Sequence, residues 1–303
     1  MVLALILALL ICAPCLSHRL LWAISPLWLV AILMLAPGAV LQAFADDADT
    51  CANGTGDAKI AACTNIITAA RWRGSGLAWA YNARGAAYFA KDDFDGAIAD
   101  YSEAIRLDPK ITQAHKDRGL AYSAKGDLDR ALTDYSKAIL INPKSEDAYL
   151  DRGVANLYAG ALTRAFADFD QARALDPKDA YAVLWLDIVG QRIGHPRPLS
   201  QAIATIDMNK WPAPVIRMFL SQMQPAAVLA AAAAEPDATK KKGQICAANF
   251  YSGVWALRQN EKDNASRLFR LATAHCPKNL IEWSAANAEL KALGTPPETS
   301  RHN

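Results

Sequence analysis

Hydrophobic positions follow two different patterns along this 303-residue chain. The first 45 residues are mostly apolar and contain no acidic residue, whereas the middle of the chain repeats small, aromatic and proline positions every 34 residues. Five offsets are kept through three copies, at Gly85, Gly119 and Gly153; Ala97, Ala131 and Ala165; Tyr101, Tyr135 and Phe169; Ala104, Ala138 and Ala172; and Pro109, Pro143 and Pro177. This pattern predicts three helix pairs, at 78–111, 112–145 and 146–179. Glycine and alanine let the helices approach closely, and proline ends each second helix.

The same pattern returns near the C-terminus after an irregular stretch. A fourth copy starts at 180–194 and is broken after residue 195, but a later copy keeps all five offsets at Gly253, Ala265, Phe269, Ala272 and Pro277. We expect a final helix at 280–293 to cap this last repeat. Between the copies the sequence predicts three short helices, at 199–206, 214–223 and 225–234, and then a solvated loop at 235–243.

The central repeat resembles the tetratricopeptide repeat, or TPR, a helix pair of about 34 residues. The resemblance implies an all-α, right-handed superhelix whose first helices line a concave groove, with an irregular helical insertion and a C-terminal capping helix. Proteins of this kind bind partner proteins or peptides in that groove. The predicted partner-binding residues are Trp79, Asn82, Phe89, Gln113, Lys116, Leu120, Leu150, Leu157, Tyr181 and Leu184.

The groove is a mixed, largely apolar trough. Repeat arrays that clamp the C-terminal carboxylate of a peptide use several Lys, Arg and Asn side chains at these positions, and only Lys116 and Asn82 resemble them here. The sequence therefore disfavours a carboxylate clamp. Trp79, Phe89, Leu157 and Tyr181 are the large side chains along this face, and we expect them to anchor a partner.

The C-terminal third also resembles the closing segment of NlpI-type lipoproteins. The likeness is carried by residues 249–253, 265–272 and 282–294, and it extends over about 78–294. It implies a dimeric scaffold of the bacterial cell envelope that brings peptidoglycan hydrolases to a processing protease. This chain differs from that family because it lacks a lipidation cysteine and carries additional cysteine pairs.

Residues 1–45 have the pattern of a secretory signal. His18 and Arg19 precede an apolar core, and Ala43 and Ala45 form a small-x-small cleavage site, so we expect cleavage after Ala45 and a periplasmic protein. The alternative is an uncleaved N-terminus that anchors the protein in the inner membrane, since residues 1–16 form a second apolar run. Contact with a membrane is expected only in that case.

Four cysteines lie beyond the predicted cleavage site, and an even number in an exported chain favours disulfides. Cys51 and Cys63 flank a glycine-rich segment, and Cys246 and Cys276 fall at the two ends of one repeat. The antiparallel helices of a repeat bring such ends together, so we predict the pairs Cys51–Cys63 and Cys246–Cys276. The segment 46–77 is expected to contain one helix, at 57–70, after a polar lead-in, and the tail 295–303 is expected to be disordered.

Charge and motifs argue against several functions. The chain has 32 Lys and Arg against 30 Asp and Glu, so a polybasic nucleic-acid surface is not expected. The usual hydrolase, metalloprotease, phosphate-binding and dinucleotide-binding motifs are missing from the sequence, and its histidines are scattered. We therefore predict no catalytic residues, no metal site and no cofactor.

One set of charged residues recurs with the repeat. An arginine precedes each repeat glycine, and an aspartate follows that arginine by sixteen residues, at Arg84 and Asp100, Arg118 and Asp134, and Arg152 and Asp168. These residues form either a row of ligand-binding charges or a structural ladder between paired helices. Recurrence with the period favours the ladder.

The sequence thus predicts a non-enzymatic envelope adaptor with protein or peptide ligands, and a homodimer is possible. The alternatives are a membrane-anchored assembly factor and, less favoured, a cryptic hydrolase.

Overall fold

The computed structural model describes residues 45–69, 73–195 and 199–294, which form a helical repeat array. Within these ranges the chain contains no β-strand, and the predicted all-α repeat solenoid is confirmed. None of the helices in the described part of the chain is long and apolar enough to cross a membrane. The predicted export signal, apart from Ala45, and the predicted disordered tail lie outside the described residues.

The N-terminal segment is a helical hairpin. Helix α1 spans 45–53, α2 spans Gly56–Thr68, and a 3-10 turn follows at Gly74–Leu77. The expectation of one helix after a polar lead-in is therefore wrong. Before Gly54 no glycine or proline interrupts the helix, so the chain first turns at Gly54–Gly56, where Gly56 adopts a positive φ of 58°.

The three predicted helix pairs follow in order. Short turns separate their first helices from their second helices. Asp93 and Asp127 each accept a hydrogen bond from the backbone amide of the third residue of α4 or α6. The pairs are α3 (Ala78–Ala90) with α4 (Phe94–Leu107), α5 (Thr112–Ala124) with α6 (Leu128–Ile141), and α7 (Glu146–Tyr158) with α8 (Leu162–Leu175).

Each repeat glycine faces the aromatic ring that lies sixteen residues later. A Cβ atom added to Gly153 would lie 2.6 Å from Phe169 Cε1, and one added to Gly253 would lie 2.6 Å from Phe269 Cε1. Real Cβ atoms do not approach other atoms so closely, so the ring and the first helix can share this space only because the residue is glycine. The recurring offset is thus a packing requirement.

The C-terminal region is a second helical cluster packed on the repeats. It comprises α9 (Ala180–Arg192), α10 (Leu199–Ala202) with a 3-10 turn (Ile203–Thr205), α11 (Ala213–Phe219), α12 (Pro225–Ala233), α13 (Ala238–Arg258), α14 (Lys262–His275) and α15 (Ile281–Ala292). The predicted loop at 235–243 is largely wrong, because Asp237 caps α13 by accepting a hydrogen bond from the Lys240 amide at 2.8 Å. Helix α13 therefore begins one turn after α12 ends.

Trp185 of α9 joins the third repeat to this cluster. Its indole stacks on Phe169 of α8, with centroids 5.7 Å apart and planes 9° apart, and it also contacts Phe250 and Tyr251 of α13. All four side chains are almost fully buried. The largest apolar core of the molecule therefore lies where the repeat array meets the C-terminal helices.

The two predicted cysteine pairs lie close together in the structure. Cys51 is next to Cys63 between α1 and α2, and Cys246 is next to Cys276 between α13 and the end of α14. The Cα–Cα distances are 4.7 Å and 4.8 Å, within the range usual for disulfides.

Helix α15 does more than cap the last repeat, which is the role expected from the sequence. It also packs against α7, and the segment before it reaches the first repeat, where Lys278 Nζ lies 2.6 Å from Asp92 Oδ2. Trp283 of α15 contacts Phe94 at the start of α4, with ring centroids 6.4 Å apart. The C-terminal helices therefore cross the concave side of the array and close it.

Candidate binding cavity

A cavity of about 450 Å³ lies between the inner face of the repeats and the C-terminal helices. Its volume is in the range of small-molecule and peptide side-chain sites. One wall comes from α5, α7 and α9, and the other comes from residue 211, from α13 and from the start of α15. The lining residues are Lys116, Asp117, Leu120, Asp147, Leu150, Asp151, Tyr181, Trp185, Trp211, Lys240, Gly243, Gln244, Asn279, Leu280, Ile281 and Glu282.

The repeat wall is built from equivalent positions of successive repeats. Asp117, Asp151 and Trp185 are 34 residues apart, and Lys116 and Leu150 occupy the preceding position of the repeat. The first helices α5, α7 and α9 thus present the same edge to the cavity. The wall alternates charged and apolar groups, since apolar side chains from α5, α7 and α9 lie beside the carboxylates.

The opposite wall is held in place by polar contacts. Trp211 Nε1 donates to Tyr181 Oη at 3.0 Å, which fixes the loop before α11 against α9. Glu235 Oε2 accepts from Gln244 Nε2 at 2.9 Å and fixes the beginning of α13. Trp211 and Tyr181 both line the cavity, so residues that face the ligand space also hold this wall in place.

Three carboxyl groups in the cavity have raised pKa values. Burial raises the pKa of Asp151 to about 7, with a partial opposing effect of Lys116 and a further increase from Asp147 and Asp117. Burial also raises the pKa of Asp117 to about 6, although Lys116, Gln113 and Asn82 favour its charged form. Burial raises the pKa of Glu282 to about 7. The cavity therefore contains carboxyl groups that lack enough positive charge around them.

Lys116 is the principal cation of the repeat wall. Its Nζ lies 3.2 Å from Asp147 Oδ2. Burial lowers its pKa, but Asp151, Asp147 and Asp117 outweigh that effect and raise the pKa above its ordinary value. Lys116 thus stays protonated and serves several carboxylates at once.

Among the described residues, one buried donor at the cavity has no hydrogen-bond partner, and one buried carboxyl group has no partner besides its own backbone amide. Trp185 is 1% exposed, and its indole Nε1–H has no hydrogen-bond partner among the described residues. Glu282 is 5% exposed and forms no ion pair within the described ranges. Buried donors and carboxylates are normally satisfied, so these two groups leave hydrogen-bonding capacity beside the cavity. The same part of the chain contains no group of three His, Cys, Asp or Glu side chains suited to a metal ion.

The structure divides the ten sequence-predicted binding residues into separate groups. Lys116, Leu120, Leu150 and Tyr181 line the cavity together. Asn82 and Gln113 stand behind it, because both hydrogen-bond to Asp117, and Gln113 Nε2 lies 2.6 Å from Asp117 Oδ1. The remaining four do not reach the cavity: Trp79, Phe89, Leu157 and Leu184.

Those four residues have packing roles. Trp79 packs against the cluster around Cys51 and Cys63 of the N-terminal hairpin. Phe89, Leu157 and Leu184 are 4%, 4% and 0% exposed, so they are core residues and cannot serve as exposed anchors. They lie on the side of each first helix that faces neighbouring helices, and the apolar pattern alone does not distinguish this side from the concave one.

Sequence reasoning missed Asp117, Asp151 and Glu282 of the cavity. Asp117 and Asp151 immediately precede the ladder residues Arg118 and Arg152, and their 34-residue spacing was a signal that could have revealed them. Glu282 and Trp211 carry no such signal, since they come from outside the central repeats and reach the cavity only through the tertiary fold.

The arginines and aspartates that recur with the repeat form a structural ladder between paired helices, as their recurrence predicts. Arg118 donates to both carboxylate oxygens of Asp134, at 2.8 Å from Nε and 2.7 Å from Nη2. Its Nη1 also donates to Ser102 Oγ of the preceding repeat at 2.9 Å. Arg84 and Arg152 repeat this arrangement, and Arg84 reaches Thr64 of the N-terminal hairpin. Each arginine therefore joins the helices of its own repeat and the repeat before it.

Comparison with known proteins identifies the repeat. Residues 78–111 match the family model described as tetratricopeptide repeat, and residues 119–160 match a model described as TPR repeat. A solved tetratricopeptide repeat protein from Parabacteroides merdae is similar in fold, with 16% identity, a TM-score of 0.51, and coverage of 82% of this chain and 99% of that chain.

Two peptide complexes are also similar over part of the chain. The second TPR domain of human RPAP3, solved with the HSP70 peptide SGPTIEEVD, is 28% identical, covering 36% of this chain and 91% of that chain with a TM-score of 0.35. The first TPR of Spaghetti (RPAP3), bound to the HSP90 peptide SRMEEVD, is 26% identical, covering 39% of this chain and 93% of that chain with a TM-score of 0.38. The family matches and the repeat architecture lead to one conclusion: this chain is built from tetratricopeptide repeats, which are modules that bind proteins and peptides.

Proposed function

We propose that this protein is an adaptor that binds a short peptide segment of its partners in the cavity between α5, α7 and α9 and the C-terminal helices. The observation that carries the proposal is the position of the cavity, which is lined by equivalent inner-face residues of three successive first helices. In repeat arrays this face is the surface on which peptides lie.

Closure of the array limits what can bind. Helix α15 and the segment before it contact the first and third repeats through Lys278, Trp283 and Glu289, so they occupy concave surface that an open array would offer to a long helix. The remaining space of about 450 Å³ suits a few side chains. The ligand is accordingly a short segment, bound mainly through one or two anchoring side chains.

A peptide array tests this function with a matched pair of variants. Leu150→Trp fills the cavity from the repeat wall, whereas Leu140→Trp adds the same bulk at a side chain that is 72% exposed and does not line the cavity. Full-length wild-type protein and Leu140→Trp should capture the same peptides, and Leu150→Trp should lose them while keeping its helical circular dichroism spectrum. Unchanged capture by Leu150→Trp would show that the peptides bind elsewhere.

We further propose that the adaptor is exported to the periplasm. The secretory pattern of residues 1–45 supports this location, and so does the pairing of all four cysteines beyond it, since disulfides persist in oxidising compartments. N-terminal sequencing of the protein from the envelope fraction should find a start at Asp46. A start upstream of the apolar core would instead support the membrane-anchored assembly factor.

The partners proposed from the NlpI-type resemblance are peptidoglycan hydrolases and a processing protease, with the adaptor acting as a dimer. The C-terminal residues 249–253 and 265–272 carry that resemblance, and they belong to α13 and α14, which form part of the closing cluster. Crosslinking in the periplasm followed by mass spectrometry should recover both enzyme classes, and light scattering should give twice the mass of one chain. Recovery of neither class would reject this role without affecting the peptide-binding proposal.

A further inference from the structure

We infer that the cavity selects a basic side chain, so that the peptide segment it binds carries a lysine or an arginine. The inference rests on the proposed peptide-binding function and adds the chemistry of the ligand to it. It is carried by the charge balance of the cavity wall and by two buried groups that have unused hydrogen-bonding capacity.

The cavity wall contains more carboxyl groups than cations. Four acidic residues line it against two lysines, Lys116 and Lys240. Lys116 is engaged with Asp147, and Lys240 is exposed at the start of α13. Asp117, Asp151 and Glu282 are left without an ion pair of their own within the described residues. Lys116 is the one cation that acts on Asp117 and Asp151, and no cation acts on Glu282 among the described residues, so a second cation entering the cavity would find carboxyl groups that are not neutralised.

Trp185 adds an observation that is independent of the acidic residues. It lies at the same repeat position as Asp117 and Asp151, lines the cavity, and leaves its indole N–H without a partner although the side chain is 1% exposed. A buried donor of this kind requires an acceptor. A metal ion or a bare ammonium group offers none, whereas the backbone carbonyl of a peptide does.

A basic peptide satisfies both features together. Its ammonium or guanidinium group can donate to several carboxylate oxygens at once, and charge-assisted hydrogen bonds of this type are the strong ones. Its backbone carbonyl can accept from Trp185 Nε1. Leu120 and Leu150 border the same space and can contact the methylene stem of a lysine or arginine.

An acidic peptide is disfavoured by the same wall. A carboxylate entering the cavity would approach Asp117, Asp151 and Glu282, and like charges in a partly buried site repel strongly. The site thus has the opposite charge preference from a clamp for the C-terminal carboxylate of a peptide, which agrees with the small number of Lys, Arg and Asn residues on this face.

Binding of a cation should be coupled to proton release. Charged and polar groups around the three carboxyls are Lys116, Asp147, Gln113 and Asn82 from the repeats, Lys240 from α13 and Asp179 before α9. The phenols near them have pKa values raised by burial and stay neutral in this pH range; they belong to Tyr101, Tyr135, Tyr181 and Tyr251. Because burial raises the pKa values of Asp117, Asp151 and Glu282 to about 6, 7 and 7, a fraction of them is protonated below pH 7. An entering ammonium group replaces those protons, so affinity should increase between pH 5.5 and 8.

Isothermal titration calorimetry on the full-length protein tests the inference. The probes are three peptides with blocked ends, Ala-Lys-Ala-Lys-Ala and its counterparts with norleucine or glutamate in place of lysine, and free spermidine. The variants are Asp117→Asn with Asp151→Asn, and a control with the same change in charge at exposed positions outside the cavity, Asp129→Asn with Asp263→Asn. Titration in two buffers of different ionisation enthalpy measures the protons released.

The expected result is binding of the lysine peptide alone among the three, at least tenfold weaker in the cavity variant and unchanged in the control, with proton release at pH 6. Equal or stronger binding of the norleucine or glutamate peptide would overturn the inference and leave the peptide-binding function standing. If spermidine binds as tightly as the lysine peptide, the cavity binds free cations, and the inference that the cation belongs to a peptide is wrong. If none of the three peptides binds, the inference fails, and an empty peptide array in addition would reject the proposed function itself.

Discussion

Tyr158 of α7 donates a hydrogen bond to Glu289 of α15 at 3.1 Å, although 131 residues separate them in the sequence. Arg192 at the end of α9 donates to the same carboxylate oxygen at 2.5 Å. Glu289 is only 4% exposed, so its carboxylate depends on these two donors. The contact fixes the final helix to the third and fourth repeats and thereby holds the array closed.

Replacing Arg192 by leucine should weaken this closure. The change removes a charge-assisted hydrogen bond to a buried carboxylate, and the free energy of unfolding should fall by about 2 kcal/mol. Tyr158→Phe removes a single hydrogen bond and should cost about 1 kcal/mol. Urea unfolding followed by circular dichroism measures both.

Arg173→Leu is the control, since its pair with Asp170 lies on one helix and such pairs contribute roughly 0.5 kcal/mol. Equal losses for Arg192→Leu and Arg173→Leu would contradict a special role for Glu289.

Gly153→Ala should destabilise the third repeat. Its Cβ would lie 2.6 Å from the Phe169 ring, which must then move within a packed core. Overpacking of this kind costs roughly 1–3 kcal/mol. Gly243→Ala is the matched control within α13, because the nearest atom to its Cβ, Leu280 Cδ1, is 3.7 Å away. That substitution should raise helix stability by about 0.5–1 kcal/mol, and chemical denaturation distinguishes the two signs.

Arg118→Leu should be among the most damaging ladder substitutions. Asp134 is 4% exposed and would lose the guanidinium group that donates to both of its carboxylate oxygens. The free energy of unfolding should therefore fall by about 3 kcal/mol. Burial opposes ionisation of Asp134, but the hydrogen bonds from Arg118 and His115 outweigh it and lower the pKa. The stabilisation is therefore present above the unfolded-state pKa and is lost as the pH falls through the folded-state value.

The loss in Arg118→Leu should accordingly shrink as the pH falls towards the lowered pKa of Asp134. Arg118→Lys keeps the charge but not the paired donors, and it should fall between the wild type and Arg118→Leu. Urea denaturation of all three proteins at pH 3.5 and pH 7 provides the measurement. A loss that is equal at both pH values would indicate that Arg118 stabilises the repeat through packing alone.

The carboxyl groups of the cavity should make the protein less stable as the pH rises from 5 to 8. Asp117, Asp151 and Glu282 have folded-state pKa values raised by burial to about 6, 7 and 7. The folded protein therefore holds more protons than the unfolded chain in this interval, and stability falls as these protons are lost. A loss of about 1 kcal/mol lowers the Tm of a domain of this size by roughly 2–4 °C.

Asp151→Asn isolates the contribution of one group. The amide stays neutral at all pH values, so the Tm of the variant should depend less steeply on pH and should exceed that of the wild type at pH 8. Thermal unfolding at half-unit pH steps gives both curves. A wild-type Tm that increases from pH 5 to pH 8, with the same slope in Asp151→Asn, would show that other groups control the pH dependence.

The two disulfides should each stabilise the protein by about 3–4 kcal/mol on the chain-entropy model, since they close loops of 12 and 30 residues. Peptide mapping under non-reducing conditions should recover Cys51 linked to Cys63, and Cys246 linked to Cys276. Replacing both cysteines of either pair by serine should lower the Tm. Free thiols in the native exported protein would contradict this prediction.

The repeats could be predicted because their rules are local. The offset of sixteen residues between Gly153 and Phe169 follows from two helices of fixed length joined by a short turn, and the position of Arg118 before its glycine places it opposite Asp134 in the same way. A period that recurs three times identifies such contacts without any knowledge of the remaining fold.

The cavity could be predicted only in part. Lys116, Leu120 and Leu150 follow from the inner face of a repeat array, and the spacing of Asp117 and Asp151 was available although unused. Glu282 and Trp211 were out of reach, because nothing in the local pattern indicates that the C-terminal helices turn back over the concave side. Phe89 and Leu157 were misassigned for a related reason, since an apolar residue on a first helix can face either the groove or the core.

The salt bridge between Asp92 and Lys278 has a consequence for how this protein can change in length. An open solenoid gains or loses repeats easily, because each unit contacts only its neighbours. Here the turn between the two helices of the first repeat meets the segment leading into the last helix, so the span of that contact matches one number of units between them. An inserted or deleted 34-residue unit would separate these two segments, so we expect a change in repeat number to break the contact that an open array does not have.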